Sequence, residues 1–231
     1  MMVEGKLKHG DLEVVGLLPY ASNYTFLARV RNGEETLVVY KPMEGETPLW
    51  DFPSGTLCRR EVAAYLVSEA AGWGLVPPTV LREGPMGTGA VQLFVEHNPV
   101  INAFDLMATH QHDLKRIVLF DLIVNNADRK AGHVLLDPGR RIWAVDHGIC
   151  FHVQPKLRTV LWDFAGQPIP PSEHAALEAV LSRLDRELSI LLGMLLDDVE
   201  VDALRSRAER LIDLQVFPHP GPGRNYPWPP V

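Results

Sequence analysis

Apolar and polar residues alternate in short runs through the first forty positions, with turn-forming residues between the runs. Leu12-Glu13-Val14-Val15-Gly16-Leu17-Leu18, Tyr24-Thr25-Phe26-Leu27-Ala28-Arg29-Val30 and Thr36-Leu37-Val38-Val39-Tyr40 each have the composition of a strand. Pro19-Tyr20-Ala21-Ser22-Asn23 and Arg31-Asn32-Gly33-Glu34 supply the turns. The pattern predicts a three-stranded antiparallel meander ending at Lys41-Pro42. Residues 43–57 carry Gly45, Pro48, Pro53 and Gly55 and predict a loop. A helix is expected over 58–71. Val62, Leu66 and Val67 can pack inward, Glu61, Tyr65 and Ser68 lie on or near one face, and Gly72 and Gly74 end it. Thr79-Val80-Leu81 then predicts a strand. After a turn over 84–89, Ala90-Val91-Gln92-Leu93-Phe94-Val95 is nearly continuous in apolar residues and predicts a buried strand.

The character changes after His97-Asn98-Pro99. Helices are predicted over 112–124, over 173–192 with Ser172 as its cap, and over 198–214. Between the first two lie a short hairpin at 134–145 and a loop of basic and aromatic residues from His152 to Pro171. From Pro218 the chain is rich in proline and predicts an extended or disordered tail. The order predicts an α+β protein of two lobes: a β-rich N-lobe over 1–96, a mainly helical C-lobe over 97–217, and the tail over 218–231. A cleft between lobes is a common place for a ligand.

Composition narrows the function. The chain has 231 residues, 46% hydrophobic and 22% charged, as expected of a soluble globular protein. Its net charge of −7 argues against a nucleic-acid partner and gives no bulk attraction to an anionic membrane. No apolar stretch approaches the length of a membrane span, so stable membrane insertion is not expected. Met1-Met2-Val3-Glu4-Gly5-Lys6 lacks the apolar core of a signal peptide. Cys58 and Cys150 are too few for a disulfide framework and fit a reducing cytoplasm, although the sequence leaves a bond between them open.

The chemistry concentrates in Val124-Asn125-Asn126-Ala127-Asp128-Arg129-Lys130-Ala131-Gly132-His133 and in Trp143-Ala144-Val145-Asp146-His147-Gly148. Each stretch carries an apolar run into a polar turn with an aspartate in it. The hairpin between them folds back on itself, so Asp128, His133 and Asp146 can meet at one end of one small sheet. Phosphoryl transfer needs such a grouping: one carboxylate to orient the attacking hydroxyl and another oxygen ligand to hold a divalent metal on the phosphates.

These residues resemble the protein-kinase-like superfamily, and most closely its phosphatidylinositol 3-/4-kinase branch. Type II phosphatidylinositol 4-kinases and a bacterial group of related proteins are the nearest in pattern. The resemblance runs over about 12–170. It is carried by Tyr40-Lys41-Pro42, by Arg60-Glu61-Val62-Ala63-Ala64-Tyr65, by Gln92-Leu93-Phe94-Val95-Glu96, by Asn126-Ala127-Asp128-Arg129 and by Val145-Asp146-His147-Gly148. It implies an ATP-dependent phosphotransferase of two-lobed kinase-like fold that uses magnesium or manganese. Lys41 would neutralise phosphate charge, Glu61 would hold Lys41, and main-chain groups of Val95 and Glu96 would meet the adenine. Asp128 would take the proton of the acceptor hydroxyl, and Asp146 would bind the metal. Ser22 and Asn23 stand in a phosphate loop that has no glycine inside it. Where the family has asparagine as a second metal ligand, this chain has His133; magnesium prefers oxygen, and imidazole suits transition metals better.

Two further readings stay open: a nucleotide-binding module without catalysis, and a metal-dependent hydrolase that uses His133, His147, His152 and Asp146. Lys156, Arg158 and Trp162 either face an anionic acceptor or belong to a surface loop anchored by Trp162 and Phe164. Cys150, between Ile149 and Phe151, reads as a buried small side chain. The acceptor itself, a lipid, small-molecule or protein hydroxyl, is not specified by the sequence.

Overall fold

A computed structural model describes residues 3–19 and 23–231. Helix α1 (Val3–His9) precedes the meander and was not expected from the apolar pattern. Its one buried residue, Leu7, joins Ala28, Val30, Val38, Tyr40 and Val91 in the core of the first lobe. The alternation over 11–42 builds β1 (Asp11–Leu17), β2 (Phe26–Asn32) and β3 (Glu34–Pro42), paired antiparallel as predicted. Helix α2 (Leu57–Ala70) follows, then β4 (Thr79–Gly84) and β5 (Gly87–Leu93). The sheet order is β1-β2-β3-β5-β4, with α2 packed against β4 and β5. Because strand side chains alternate between faces, Tyr40 fills the core while its neighbour Lys41 points to the other side.

The second lobe begins with a one-turn helix, α3 (Ala103–Leu106), and with α4 (Gln111–Val124). Leu114, Ile117, Leu119, Phe120, Ile123 and Val124 of α4 are all fully buried. A helix covered on nearly every side is the centre of its lobe. Hairpin β6 (Val134–Leu136) and β7 (Ile142–Ala144) packs into the same core, as do α5 (Pro171–Leu184), α6 (Glu187–Gly193) and α7 (Asp198–Leu214). Arg60 of α2, 1% exposed, fastens the lobes together. It donates to the Cys150 carbonyl and to Glu200 of α7, both at 2.7 Å.

Two expectations need correction, and one alternative is settled. The helix predicted over 173–192 is two, α5 and α6, broken at Asp185 and Arg186. The break lets each piece turn its own leucines, Leu184 and then Leu188 and Leu192, into the core, while Arg205 of α7 holds Asp185 at 2.9 Å. Ser172 is not a cap: the helix starts two residues earlier than expected, at Pro171, where a proline loses no hydrogen bond and its fixed φ suits the first turn. Cys58 and Cys150 are separate buried thiols, so the open question of a disulfide closes. Among the described residues no helix is long and apolar enough to cross a membrane.

Gly89 of β5 sits where β3 comes close. A Cβ there would lie 2.5 Å from the Lys41 carbonyl oxygen and 2.7 Å from Pro42 Cα. Gly89→Ala must therefore push the backbone that carries Lys41. The expected loss is about 2 kcal/mol of stability, roughly 4–8 °C in Tm by calorimetry; an unchanged Tm would show that β3 yields freely.

Candidate active site

Lys41 on β3 meets two carboxylates from different parts of the chain. Its Nζ donates to Glu61 Oε1 of α2 and, at 2.9 Å, to Asp146 Oδ1 in the turn after β7. Glu61 is 2% exposed, and its second oxygen accepts the His147 backbone N–H at 3.0 Å. One carboxylate thus grips the sheet lysine and the Asp146 turn together. Burial works against the charge on Lys41, but Asp146 and Glu61 outweigh it and raise the lysine pKa above its ordinary value. The lysine charge in turn holds Asp146 well below the usual carboxylate range.

The loop carrying Asp128 is built on the end of α4. Asn125 closes that helix in the left-handed conformation, φ 55°, which asparagine tolerates better than most residues. Asn126, fully buried, donates to Asp121 Oδ1 at 2.9 Å and accepts the Asp128 N–H at 3.0 Å. Arg129, also fully buried, donates to both oxygens of Asp121 at 2.8 and 2.9 Å. It donates as well to the carbonyls of His133 and Val145 at 3.2 and 3.0 Å. Its Nη2 lies 2.6 Å from His147 Nε2. A guanidinium has no acceptor, so that ring nitrogen must accept and His147 must be neutral. Burial first, then the Arg129 charge, keeps its pKa well below the ordinary value.

Asp128, Lys130, His133 and Asp146 face one cavity of about 120 Å³ with Lys41, Glu61 and Asn23, room for several water-sized groups. Lys130 Nζ is 3.4 Å from Asp128 Oδ2. Burial raises the Asp128 pKa; Lys130 opposes the shift and Asp146 adds to it. His133 Nε2 lies 3.2 Å from Asp146 Oδ2, and burial lowers its pKa to about 4. The neutral imidazole and the ionised carboxylate offer one nitrogen and one oxygen donor side by side, a mixed pair that suits transition metals better than magnesium. Asn23 uses its carbonyl oxygen on Thr47 N–H at 2.8 Å, leaving its amide NH₂ to offer. Val95 and Glu96 follow β5 and are not among the residues lining this cavity. Ser22 lies outside the described residues.

The histidines do not gather. His147 is taken by Arg129, and His152 packs edge-on against Phe52. Among the described residues no three His, Cys, Asp or Glu side chains group to hold a metal. Of the loop residues, Lys156 pairs with Asp51 at 2.7 Å, and the Trp162 indole donates to the Asn225 carbonyl at 2.9 Å. Phe164 is buried at 2% exposure, so Trp162 and Phe164 anchor the loop, while the Arg158 charge is close enough to act on Asp128. The sequence reading missed the work of Asp121, Asn126 and His147. A charged residue amid the apolar run of α4 was the signal for Asp121.

This arrangement of sheet lobe, helical lobe and cleft carboxylates is a protein-kinase-like fold. The Golgi casein kinase structure with Mn/ADP bound superposes with a TM-score of 0.58 at 14% identity, over 90% of this chain and 73% of that one. The chain belongs to the family of Protein Rv2133c of Mycobacterium tuberculosis (strain ATCC 25618 / H37Rv). The two are 40% identical over an alignment 259 positions long, spanning 96% of this chain and 93% of that protein. Phosphatidylinositol 4-kinase gamma 4 of Oryza sativa subsp. japonica is 25% identical over 219 residues, 76% of this chain but 38% of the plant protein. No family model matches the chain.

A pH dependence follows from the two neutral histidines. Their pKa values are depressed on folding from an ordinary 6.5, so the unfolded chain takes up protons that the folded chain refuses. The stability they contribute is complete above 6.5 and is lost as pH falls toward 4, by up to about 1.4 kcal/mol per pH unit for each histidine. Thermal unfolding between pH 7 and 4 is expected to show this fall, with a shallower slope in His147→Gln. Equal slopes in the two proteins would remove His147 from the account.

Proposed function

We propose that the protein is an ATP-dependent phosphotransferase related to the phosphatidylinositol 3-/4-kinases, transferring the γ-phosphoryl group to a lipid, small-molecule or protein hydroxyl. The observation that carries this reading is Lys41 held between Glu61 and Asp146 over a cavity that Asp128 also faces. Three charged groups from separate elements converge where a phosphate chain needs a cation, a metal ligand and a base. The lobes are assigned to residues 1–96 and 97–217.

In this reading Lys41 neutralises phosphate oxygens and Glu61 fixes its position. The main chain at Val95 and Glu96 receives the adenine, and the Asn23 amide donates to phosphate. The acceptor oxygen attacks the γ-phosphorus, its bond to the β-phosphate oxygen breaks, and Asp128 takes the acceptor proton. The raised pKa of Asp128 brings it closer to the working pH of a general base. His133 and Asp146 would hold magnesium or manganese, which would offset phosphate charge. Catalysis is mostly positioning and electrostatics. The free thiols support a cytoplasmic location.

Asp128→Asn is expected to lower kcat about 100-fold or more with ATP affinity kept, measured by transfer from labelled ATP to added acceptors. Asp146→Asn is expected to lose metal-dependent ATP binding in calorimetric titration. Unchanged transfer in Asp128→Asn would overturn the catalytic assignment. The second reading, a nucleotide-binding module without turnover, is favoured by His133 at the second ligand position. It predicts ATP binding by the wild type with no transfer to any acceptor. His133→Asn is expected to weaken manganese binding relative to magnesium, read from the electron paramagnetic resonance of bound manganese. An unaltered spectrum and affinity would remove His133 from the ligand set.

A further inference from the structure

The proline-rich segment is docked rather than free. Val216 bridges to Pro168. Phe217, 1% exposed, donates its N–H to the Gln167 carbonyl at 2.9 Å, accepts from Gly166 N–H at 2.8 Å, and packs on Phe164. Asn225 then closes a turn, its side-chain amide donating to the carbonyls of Gly221 and Gly223 at 2.6 and 3.1 Å. That turn aims the Asn225 carbonyl at two donors, Thr159 N–H at 3.1 Å and the Trp162 indole at 2.9 Å. Pro227 is buried beyond it. Pro230 ends the path by accepting the Ala131 N–H at 2.9 Å.

Both backbone donors belong to the frame of Asp128. Ala131, fully buried, follows Arg129 and Lys130 directly. Thr159, also fully buried, pairs in parallel with Arg129. The pairing rests on Arg129 N–H to the Arg158 carbonyl at 2.9 Å and Val160 N–H to the Arg129 carbonyl at 3.2 Å, with Arg158 N–H to the Asn126 carbonyl at 2.9 Å. The loop from 126 to 131 is therefore gripped on both sides of Asp128. One grip is direct, and the other passes through residues 158–160. A buried N–H that loses its acceptor is costly, so the loop cannot keep this path at no cost without the segment.

We infer that residues 224–230 are a positioning element for Asp128, a clamp that sets the catalytic loop rather than a passive covering. The hold on the loop stands on the hydrogen bonds above; its consequence for catalysis rests on the proposed function. The test compares the full chain with a variant lacking residues 224–231, which keeps the Phe217 anchor, and with Asn225→Ala, which loses the brace of the turn. Amide exchange read by NMR should rise at least tenfold at Ala131 and Thr159 in the truncated chain, with Leu119 and Ile123 of α4 unchanged. In phosphotransfer assays kcat should fall about tenfold with the KM for ATP within twofold. Asn225→Ala should move the same amides in the same direction, and it decides the matter if the truncated chain fails to fold. Unchanged protection at both amides, or a uniform rise through α4, would overturn the clamp. Faster exchange with unchanged kcat would overturn its role in positioning. A full-length chain without any phosphotransfer would remove the kinase reading, and the exchange pattern would then decide the clamp by itself.

Discussion

The site depends on one buried guanidinium. Arg129 joins the end of α4, the loop bearing Asp128, the turn just before β6 and the turn after β7, because it donates to Asp121, to the carbonyls of His133 and Val145, and to His147. Desolvating such a charge is expensive unless every donor finds an acceptor and a counter-charge is close. Asp121 supplies the counter-charge and is itself fully buried. Removing either partner would strand the other, a loss of roughly 3–5 kcal/mol. The pair is better understood as a device for registration than as a source of stability. It fixes where Asp128 and Asp146 stand relative to each other, and neither makes a direct bond to the other.

Much of this was legible in the sequence, and the rest was not for a physical reason. The strands, α2, α4 and the hairpin follow from local periodicity. Lys41, Glu61, Asp128, His133 and Asp146 could be named together because the motifs that carry them stand in the order of the family the chain resembles, and the fold brings all five to one cavity. Roles set by partners far along the chain could not be read. Nothing near Lys156 says that Asp51 will neutralise it, and nothing near Trp162 names Asn225. Ser172 was a reasonable cap by residue type, and the helix instead begins at Pro171, whose fixed backbone suits the first turn. The break at Asp185 and Arg186 carries no glycine or proline; it answers to packing against α7, which local pattern does not contain. His147 looked like a ligand by composition and is instead an uncharged acceptor inside the core.

The lobes share one hydrophobic core, in which Ala64, Val67 and Trp73 pack with Ile117, Phe120 and Leu188, and polar contacts reinforce that junction. Arg60 reaches Cys150 and Glu200, Glu61 reaches His147, and Lys156 reaches Asp51. Hydrogen bonds and ion pairs are directional, so these polar contacts add an orientation that the shared apolar core alone would not fix. α2 carries both Arg60 and Glu61, one turned toward the body of the helical lobe and the other toward the cleft. A displacement of α2 therefore moves the sheet lysine and the turn bearing Asp146 together.

The contact between Lys41 and Asp146 has a thermodynamic corollary. Each group at present satisfies the other. In the proposed reaction each has a different partner, phosphate for the lysine and a divalent ion for the aspartate. A cation held by Asp146 would leave Lys41 free for phosphate, and phosphate on Lys41 would leave Asp146 free for the cation. Each guest removes the cost that the other would meet. In that proposed reaction metal and nucleotide would be heterotropic partners, each raising the affinity for the other by the same factor in either order.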